Sequence, residues 1–380
     1  MTSQITLANW QETEHTVWSY RHLRELVPTA RISRAAEPLP LPTAATTAAP
    51  ADLPVAVLLD DQSTDGVIVI HGAEIVFEQY RRGMRADDLH LLQSVSKSIT
   101  GSLAGVLIGQ GRVDPEAPVT SYIPEMEGSS FAGASVRDLL DMRAGTSFNE
   151  NYSDPDSDVR DSEAQFGWAP GPRPAKDAIA YLTSLHNHRD HGGPFEYRSI
   201  LTDVLGLVLE RATGTRFGEL LGRELWEPLG AEHDACVTVD AEGFAVADGG
   251  INVTLRDLAR FGLLVLNDGR GPQGQVVPAS WISDTLRGGA DSAEAFEPYA
   301  QEFPDVLMSG GHYRNQWWVP DGEQQLLAVG IHGQFLHINR ATGTVCARLS
   351  TWPTSLDTGR HLQTLTTFQA TGDQLAGRYA

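Results

Sequence analysis

Lysine is almost missing from these 380 residues: of 28 basic side chains only Lys97 and Lys176 are lysine, and the other 26 are arginine. Cysteine is as scarce. Cys236 and Cys346 lie far apart and in no metal-ligand spacing, so neither a disulfide framework nor a zinc site follows. No run of about 18 apolar residues occurs, so nothing in the sequence reads as a membrane span. The opening MTSQITLANWQETEHTVW has no basic stretch leading into an apolar one. No secretory signal is therefore expected, and a reducing, cytoplasmic setting is the default reading. Positive charge is also in deficit. The net charge of −21 speaks against nucleic acid or an anionic membrane as the main partner.

What is present is ordinary for a soluble globular protein, with 41% hydrophobic and 20% charged residues. The length fits two or three domain-sized units, or one domain with a large insertion, and supports a sizeable core without staples. Residues 10–34 read as an ordered arm with a short helix around Tyr20 to Leu26. Residues 36–54, AEPLPLPTAATTAAPADLP, read as an extended linker crossing the surface.

Strand-like runs then gather near both ends of the chain. GVIVIHGAEIVFEQY (66–80) reads as a hairpin turning at His71-Gly72, and residues 313–320, 324–340 and 343–352 are strand-like too. The middle differs, with helical periodicity over 136–143, 176–186, 200–213, 216–228 and 255–267. Thr254 and Asp257 resemble a capping box, and Gly214 reads as a helix stop. Segment 144–176 is a long loop of Gly, Ser, Asn, Asp and Pro, and loops of that length are usually functional or disordered. A sheet domain split by a helical insertion follows.

One of the two lysines stands in LLQSVSKSIT, three residues after Ser94. Residues 94–108 read as a buried helix, with Ile99, Leu103, Val106 and Leu107 forming an apolar stripe. Gly101 and Gly105 each cost about 1 kcal/mol relative to alanine in a helix, unless another backbone packs closely there. Ser94 then sits on the first turn and Lys97 on the same side. A serine hydroxyl needs a base to become a nucleophile, and a desolvated lysine can serve where an arginine, always protonated, cannot. The helix N-terminus turns amide N–H groups toward a developing oxyanion. A bare S-x-x-K also fits a surface lysine beside a capping serine; the buried helix and the scarcity of lysine set the chemical reading beside it.

Two more elements fit the same chemistry. Tyr197, in FEYRS ahead of the helix at 200–213, can share a proton with Lys97, or simply pack. In VGIHGQ, Gly330 marks either a bulge or a close backbone approach, and the Ile331 amide can act as a second oxyanion donor.

An S-x-x-K, a Y-x-S about a hundred residues later, and a glycine-bearing strand near the C-terminus occur in the order seen in the penicillin-recognising serine hydrolases. The chain resembles their class C β-lactamase and esterase branch, and the 6-aminohexanoate-dimer hydrolases in particular. WQE, HLL.SVSKS, LLDM, NE.Y.DP, TDVL, DLAR.G, QWW, GIHGQ and LS.WP carry the resemblance in collinear order. It implies an α+β fold of the β-lactamase/transpeptidase type: a mostly antiparallel sheet with flanking helices, an inserted all-helical domain, and the site in the cleft between them. The division implied is 1–135 (arm, linker and first part of the α/β domain), 136–250 (helical domain) and 251–380 (second part of the α/β domain).

The resemblance also implies roles. Ser94 is the nucleophile, Lys97 its base, Tyr197 the proton relay, and Ile331 joins Ser94 in the oxyanion hole. Tyr152 and Trp168 belong to a substrate-closing flap. Glu163 falls where a carboxylate meets a substrate ammonium, and Asp248 where efficient dimer hydrolases have another polar side chain; His332, close to Ala328-Val329-Gly330, is a further substrate-binding candidate. The implied substrates are small esters and linear amides, with neither metal nor organic cofactor. Ala328-Val329-Gly330 stands where β-lactamases carry Lys-Thr-Gly, so poor β-lactam turnover is expected. Other readings are a D-amino-acid amidase or DD-peptidase-like enzyme, and a non-catalytic binding member of the same fold. The apolar arm near Trp10 and Trp18 offers a homodimer interface.

Overall fold

Val67 to Ile70 are wholly buried. A strand with only one covered face alternates apolar and polar residues; this one does not, because helices cover its sheet on both faces. Burying each such side chain contributes about 1.5–3 kcal/mol. The computed structural model describes residues 4–44, 52–171, 177–303, 311–320 and 324–379.

In chain order the first strands are β1 (Thr29–Ile32), β2 (Thr64–His71), β3 (Glu74–Tyr80), β4 (His90–Leu91), β5 (Ala235–Thr238) and β6 (Ile251–Val253). The short ribbon β7 (Arg270–Gly271) and β8 (Gly274–Gln275) follows. The last are β9 (His312–Arg314), β10 (Trp317–Val319), β11 (Gln325–Gly330), β12 (Gln334–Asn339) and β13 (Thr344–Ser350). The helices are α1 (Thr13–Ser19), α2 (Val95–Gly109), α3 (Val136–Leu140), α4 (Asp158–Gln165), α5 (Ala178–Leu182) and α6 (Ile200–Thr213). After them come α7 (Phe217–Leu221), α8 (Leu255–Leu266), α9 (Ala279–Arg287), α10 (Ser292–Glu302) and α11 (Thr358–Tyr379).

Seven strands form an antiparallel sheet in the order β3-β2-β13-β12-β11-β10-β9. Helix α8 packs on β2, β12 and β13, while α11 packs on β12 and on the 3-10 turn at Pro54–Leu59. Four further strands form a second antiparallel sheet, β1-β5-β6-β4, which the sequence reading did not foresee. The mixed fold is the one expected, but segment 136–250 is not all-helical, because it contains β5. That strand is held by pairing with β1 from the arm and with β6.

Several expectations are met closely. The hairpin turns at Gly72-Ala73, α6 spans 200–213, and Gly214 closes it in the left-handed conformation at φ 66°. In α2 the two glycines mark close approaches. A Cβ on Gly101 would lie 2.3 Å from the Asn315 carbonyl oxygen, and one on Gly105 would lie 2.5 Å from the Trp281 ring.

Others shift. In the arm, the helix expected at Tyr20 to Leu26 is a 3-10 turn at Leu23–Glu25, with α1 ahead of it. The loop at 144–176 contains α4, and its last five residues lie outside the described residues, as do residues 45–51 of the linker. Thr254 caps α8 by accepting the Asp257 amide, yet the reciprocal half of the box is missing. The Asp257 carboxylate instead accepts the amides of Glu232 and His233 and pairs with Arg260. A complete box forms at Ser135 and Asp138 of α3.

Candidate active site

Strand β4 runs into a sharp turn before α2, and the turn is made by Gln93 at φ 50°. A non-glycine residue held there costs on the order of 1–3 kcal/mol and persists only where its surroundings fix it. Ser94 follows as the N-cap of α2 and lines a narrow cleft. The next amides, of Val95, Ser96 and Lys97, bond to the carbonyls of Leu92, Gln93 and Ser94.

Lys97 is 1% exposed, and its Nζ donates to Ser94 Oγ at 3.0 Å, to the Asp248 carbonyl at 3.1 Å and to Asp248 Oδ2 at 3.3 Å. The same Nζ lies 5.2 Å from the centre of the Tyr197 ring, which stacks on Trp318 at 5.4 Å. Burial, then the nearby Glu150 carboxyl, drives the Tyr197 pKa well above its ordinary value, and the Ser94 side chain opposes that rise. Ser94, Lys97 and Tyr197 are therefore one cluster.

Carboxyl groups crowd around this cluster. Asp203 Oδ1 accepts the Asp248 amide at 3.1 Å. Burial, then the neighbouring Asp248 carboxyl, raises the Asp203 pKa well above the usual range, which favours its protonated form. Glu150 accepts the Ser199 amide at 2.6 Å, the Ser199 hydroxyl and the Tyr152 phenol at 3.0 Å. Burial raises Glu150 as well, against the pull of Lys97. Gln93, Glu150 and Asp203 were not singled out in the sequence, and Ser199 stood there only as the last residue of the Y-x-S motif. Glu150 and Asp203 stand inside NE.Y.DP and TDVL, so the signal was present without a role attached to it.

Glu163 lines the cleft but is already partnered. Arg160, one turn earlier on α4, reaches both of its carboxylate oxygens at 3.0 and 2.8 Å. The Arg160 guanidinium also donates to the Tyr152 carbonyl at 2.7 Å and to Gln11 Oε1 at 3.3 Å. Burial raises the Glu163 pKa and Arg160 opposes the rise.

The cleft wall includes Tyr152, Glu163, Trp168 and Asp248, together with Ser94. Trp168 is fixed by its indole N–H on Thr238 Oγ1 at 2.9 Å. Ile331 follows β11 in the turn that begins after Gly330. A Cβ on Gly330 would lie 2.6 Å from the Leu92 carbonyl oxygen and 3.0 Å from Gln93 Cβ, so this turn presses on the backbone just ahead of Ser94. His332 is not among the cleft-lining residues. Its Nδ1, opposite the Trp352 carbonyl at 2.7 Å, must be a donor, and its ring packs edge-on against Tyr20. Burial pushes its pKa down. Trp10 is likewise spoken for. It is 1% exposed, with its indole N–H on the Trp168 carbonyl at 2.7 Å, so of the two tryptophans expected at a homodimer interface only Trp18 reaches the surface.

Comparison with known proteins places this geometry. The family model described as Beta-lactamase matches residues 55–370. The chain is 42% identical over 357 residues to the 6-aminohexanoate-dimer hydrolase of Paenarthrobacter ureafaciens, covering 92% of this chain and 88% of the relative. A Bacillus anthracis protein provisionally described as a 6-aminohexanoate-dimer hydrolase superposes with TM-score 0.84 at 23% identity, covering 100% of this chain and 98% of that one. A family VIII carboxylesterase superposes with TM-score 0.64 at 15% identity, covering 87% and 98%.

Proposed function

Because the chain belongs to the beta-lactamase family, we propose that it hydrolyses esters and linear amides through an acyl-enzyme on Ser94. The Ser94 oxygen attacks the substrate carbonyl carbon while its proton passes to Lys97. The Ser94 and Ile331 amides receive the oxyanion. When the tetrahedral intermediate collapses, Tyr197 and Lys97 deliver the proton to the departing alcohol or amine. Water then attacks the acyl-enzyme, and its proton returns by the same route as the acid leaves. Asp248 steadies the Lys97 ammonium whenever it forms. The observation that carries this reading is the 3.0 Å contact between Lys97 Nζ and Ser94 Oγ inside a buried helix.

The substrate assigned is a small ester or a linear amide, with 6-aminohexanoate dimer among the amides. Glu163 and Asp248 line the cleft with Ser94 and suit an acyl chain that ends in an ammonium. The Arg160 pair, however, makes Glu163 a shared partner for that ammonium. Two buried cysteines present as free thiols fit a cytoplasmic setting, and the net charge disfavours nucleic acid. Among the described residues no helix is long and apolar enough to cross a membrane.

The test is amine release from linear 6-aminohexanoate dimer and phenol release from p-nitrophenyl acetate, with Ser94→Ala as the blank. Turnover of either that disappears in a folded Ser94→Ala protein supports the reading. Equal turnover by Ser94→Ala rejects it.

A further inference from the structure

The family match starts at residue 55, yet residues well before it reach the site. Tyr20, in the arm between α1 and β1, is 1% exposed, and its phenol oxygen accepts a hydrogen bond from Gln93 Nε2 at 2.9 Å. Its backbone carbonyl accepts the Leu91 amide at 2.8 Å. The same ring meets the His332 ring edge-on at 5.9 Å and the His90 ring at 5.6 Å. One side chain thus touches the residue before Ser94 and the residue after Ile331. Both neighbours are non-glycine residues in the left-handed region, Gln93 at φ 50° and His332 at φ 59°. Gln93 borders the peptide that carries the Ser94 amide, and His332 closes the turn one residue beyond Ile331, the other proposed oxyanion donor. Such conformations hold only when surrounding contacts determine them.

We propose that Tyr20 is a positioning residue for the oxyanion hole: its phenol fixes the Gln93 turn and its ring braces the His332 turn, so that the Ser94 and Ile331 amides converge on one point. This rests on the assignment of Ser94 as nucleophile. A misplaced donor matters because oxyanion stabilisation is realised only in the transition state, and a donor displaced from its line loses much of its effect.

The experiment uses Tyr20→Phe, which keeps the ring and removes only the bond to Gln93. Active sites are first titrated with a fluorophosphonate, and rates are expressed per titrated site. We expect kcat for p-nitrophenyl acetate to fall about tenfold, a fraction of what deleting a whole donor costs, with KM within about twofold. Affinity for phenylboronic acid, whose tetrahedral adduct on Ser94 places an oxygen in the hole, falls in parallel. Gln93→Ala behaves alike, and adding it to Tyr20→Phe costs little more, as expected for two ends of one contact. A purely structural role lowers the melting temperature or the titratable fraction but leaves kcat per site and boronate affinity unchanged; that outcome overturns the proposal. If the wild-type protein itself takes up no fluorophosphonate, the nucleophile assignment fails instead.

Discussion

Lys97 Nζ touches the Ser94 hydroxyl and the Asp248 carboxylate at once, at 3.0 and 3.3 Å, although Lys97 and Asp248 lie 151 positions apart in the chain. The carboxylate that the sequence assigned to substrate is, in the folded protein, the partner of the proposed base. Changing either residue therefore alters proton handling at the nucleophile.

Lys97→Met removes the base while keeping most of the buried stem. Turnover of p-nitrophenyl acetate should fall about 10²–10⁴-fold, the usual worth of a general base. Lys97→Arg should fare no better, because its cation does not deprotonate. Circular dichroism and melting curves check that both variants fold. Turnover near the wild-type rate in a folded Lys97→Met protein removes lysine from the mechanism.

Glu163→Gln should separate the two substrate classes. Ester turnover should stay within about threefold, since Glu163 does not touch Ser94, Lys97 or Tyr197. KM for 6-aminohexanoate dimer should rise by about fivefold or more, in line with the loss of a charge-assisted hydrogen bond. Parallel KM measurements on the dimer and its N-acetylated form decide it: a rise of the same size for both leaves Glu163 without a part in ammonium binding.

Asp203→Asn should stabilise the protein at alkaline pH. The folded-state pKa of Asp203 is raised, so between the ordinary carboxyl value and the raised one the native state binds more protons than the unfolded state. By linkage, stability then falls as pH rises through that window. Asparagine keeps an oxygen for the Asp248 amide and has no proton to lose. Its melting temperature should exceed that of the wild type at pH 8, and the difference should shrink as pH falls toward 4. A difference that stays constant between these values contradicts the assignment.

Gly101→Ala tests the close packing of α2. Alanine gains about 1 kcal/mol of helix propensity. Its Cβ, however, would lie 2.3 Å from the Asn315 carbonyl oxygen, and overpacking typically costs about 1–3 kcal/mol. The clash involves backbone, which yields little, so the midpoint of urea unfolding should drop. A higher midpoint means the two segments can move apart.

β-Lactam turnover should be weak. Ala328 and Val329 occupy β11 where the resembling β-lactamases offer a cation, and Ala328 is buried. Losing a charged partner for the substrate carboxylate costs about 2–5 kcal/mol. Nitrocefin kcat/KM should accordingly lie at least about 30-fold below that for p-nitrophenyl acetate; comparable values contradict this.

Much of this was legible in the chain because it is local. Two β-rich runs around His71-Gly72 make a hairpin, the apolar stripe of α2 carries Ser94 and Lys97 on one turn, and Gly214 stops α6. What was hidden depends on partners far away. β4 has two residues, too few to show a period, and exists because β6 pairs with it. α11 is rich in Thr and Gly, which are poor helix formers, and is held by packing on β12. The contact of Lys97 with Asp248 and the bond from Gln93 to Tyr20 join separate segments of sequence, and no local pattern announces them. The Arg160–Glu163 pair was within reach, since the two stand one turn apart; it was missed because α4 lies in a segment read as loop.

The place of β2 beside β13 has a consequence for how the protein is made. During synthesis, Val67 to Ile70 emerge long before residues 344–350, the strand that pairs with one of β2's edges. Until then that edge of β2 has no strand to bond with, and α8, which covers one of its faces, appears only after residue 255. A nascent chain therefore carries a nearly complete apolar β-ribbon for most of its translation, and contacts of such long sequence separation form late. The Ser94 helix waits as well, since β11, which packs against it, is among the last strands translated. Hydrolytic competence should thus appear only after the final strands have left the ribosome, and a truncated translation product is a candidate for aggregation and chaperone capture.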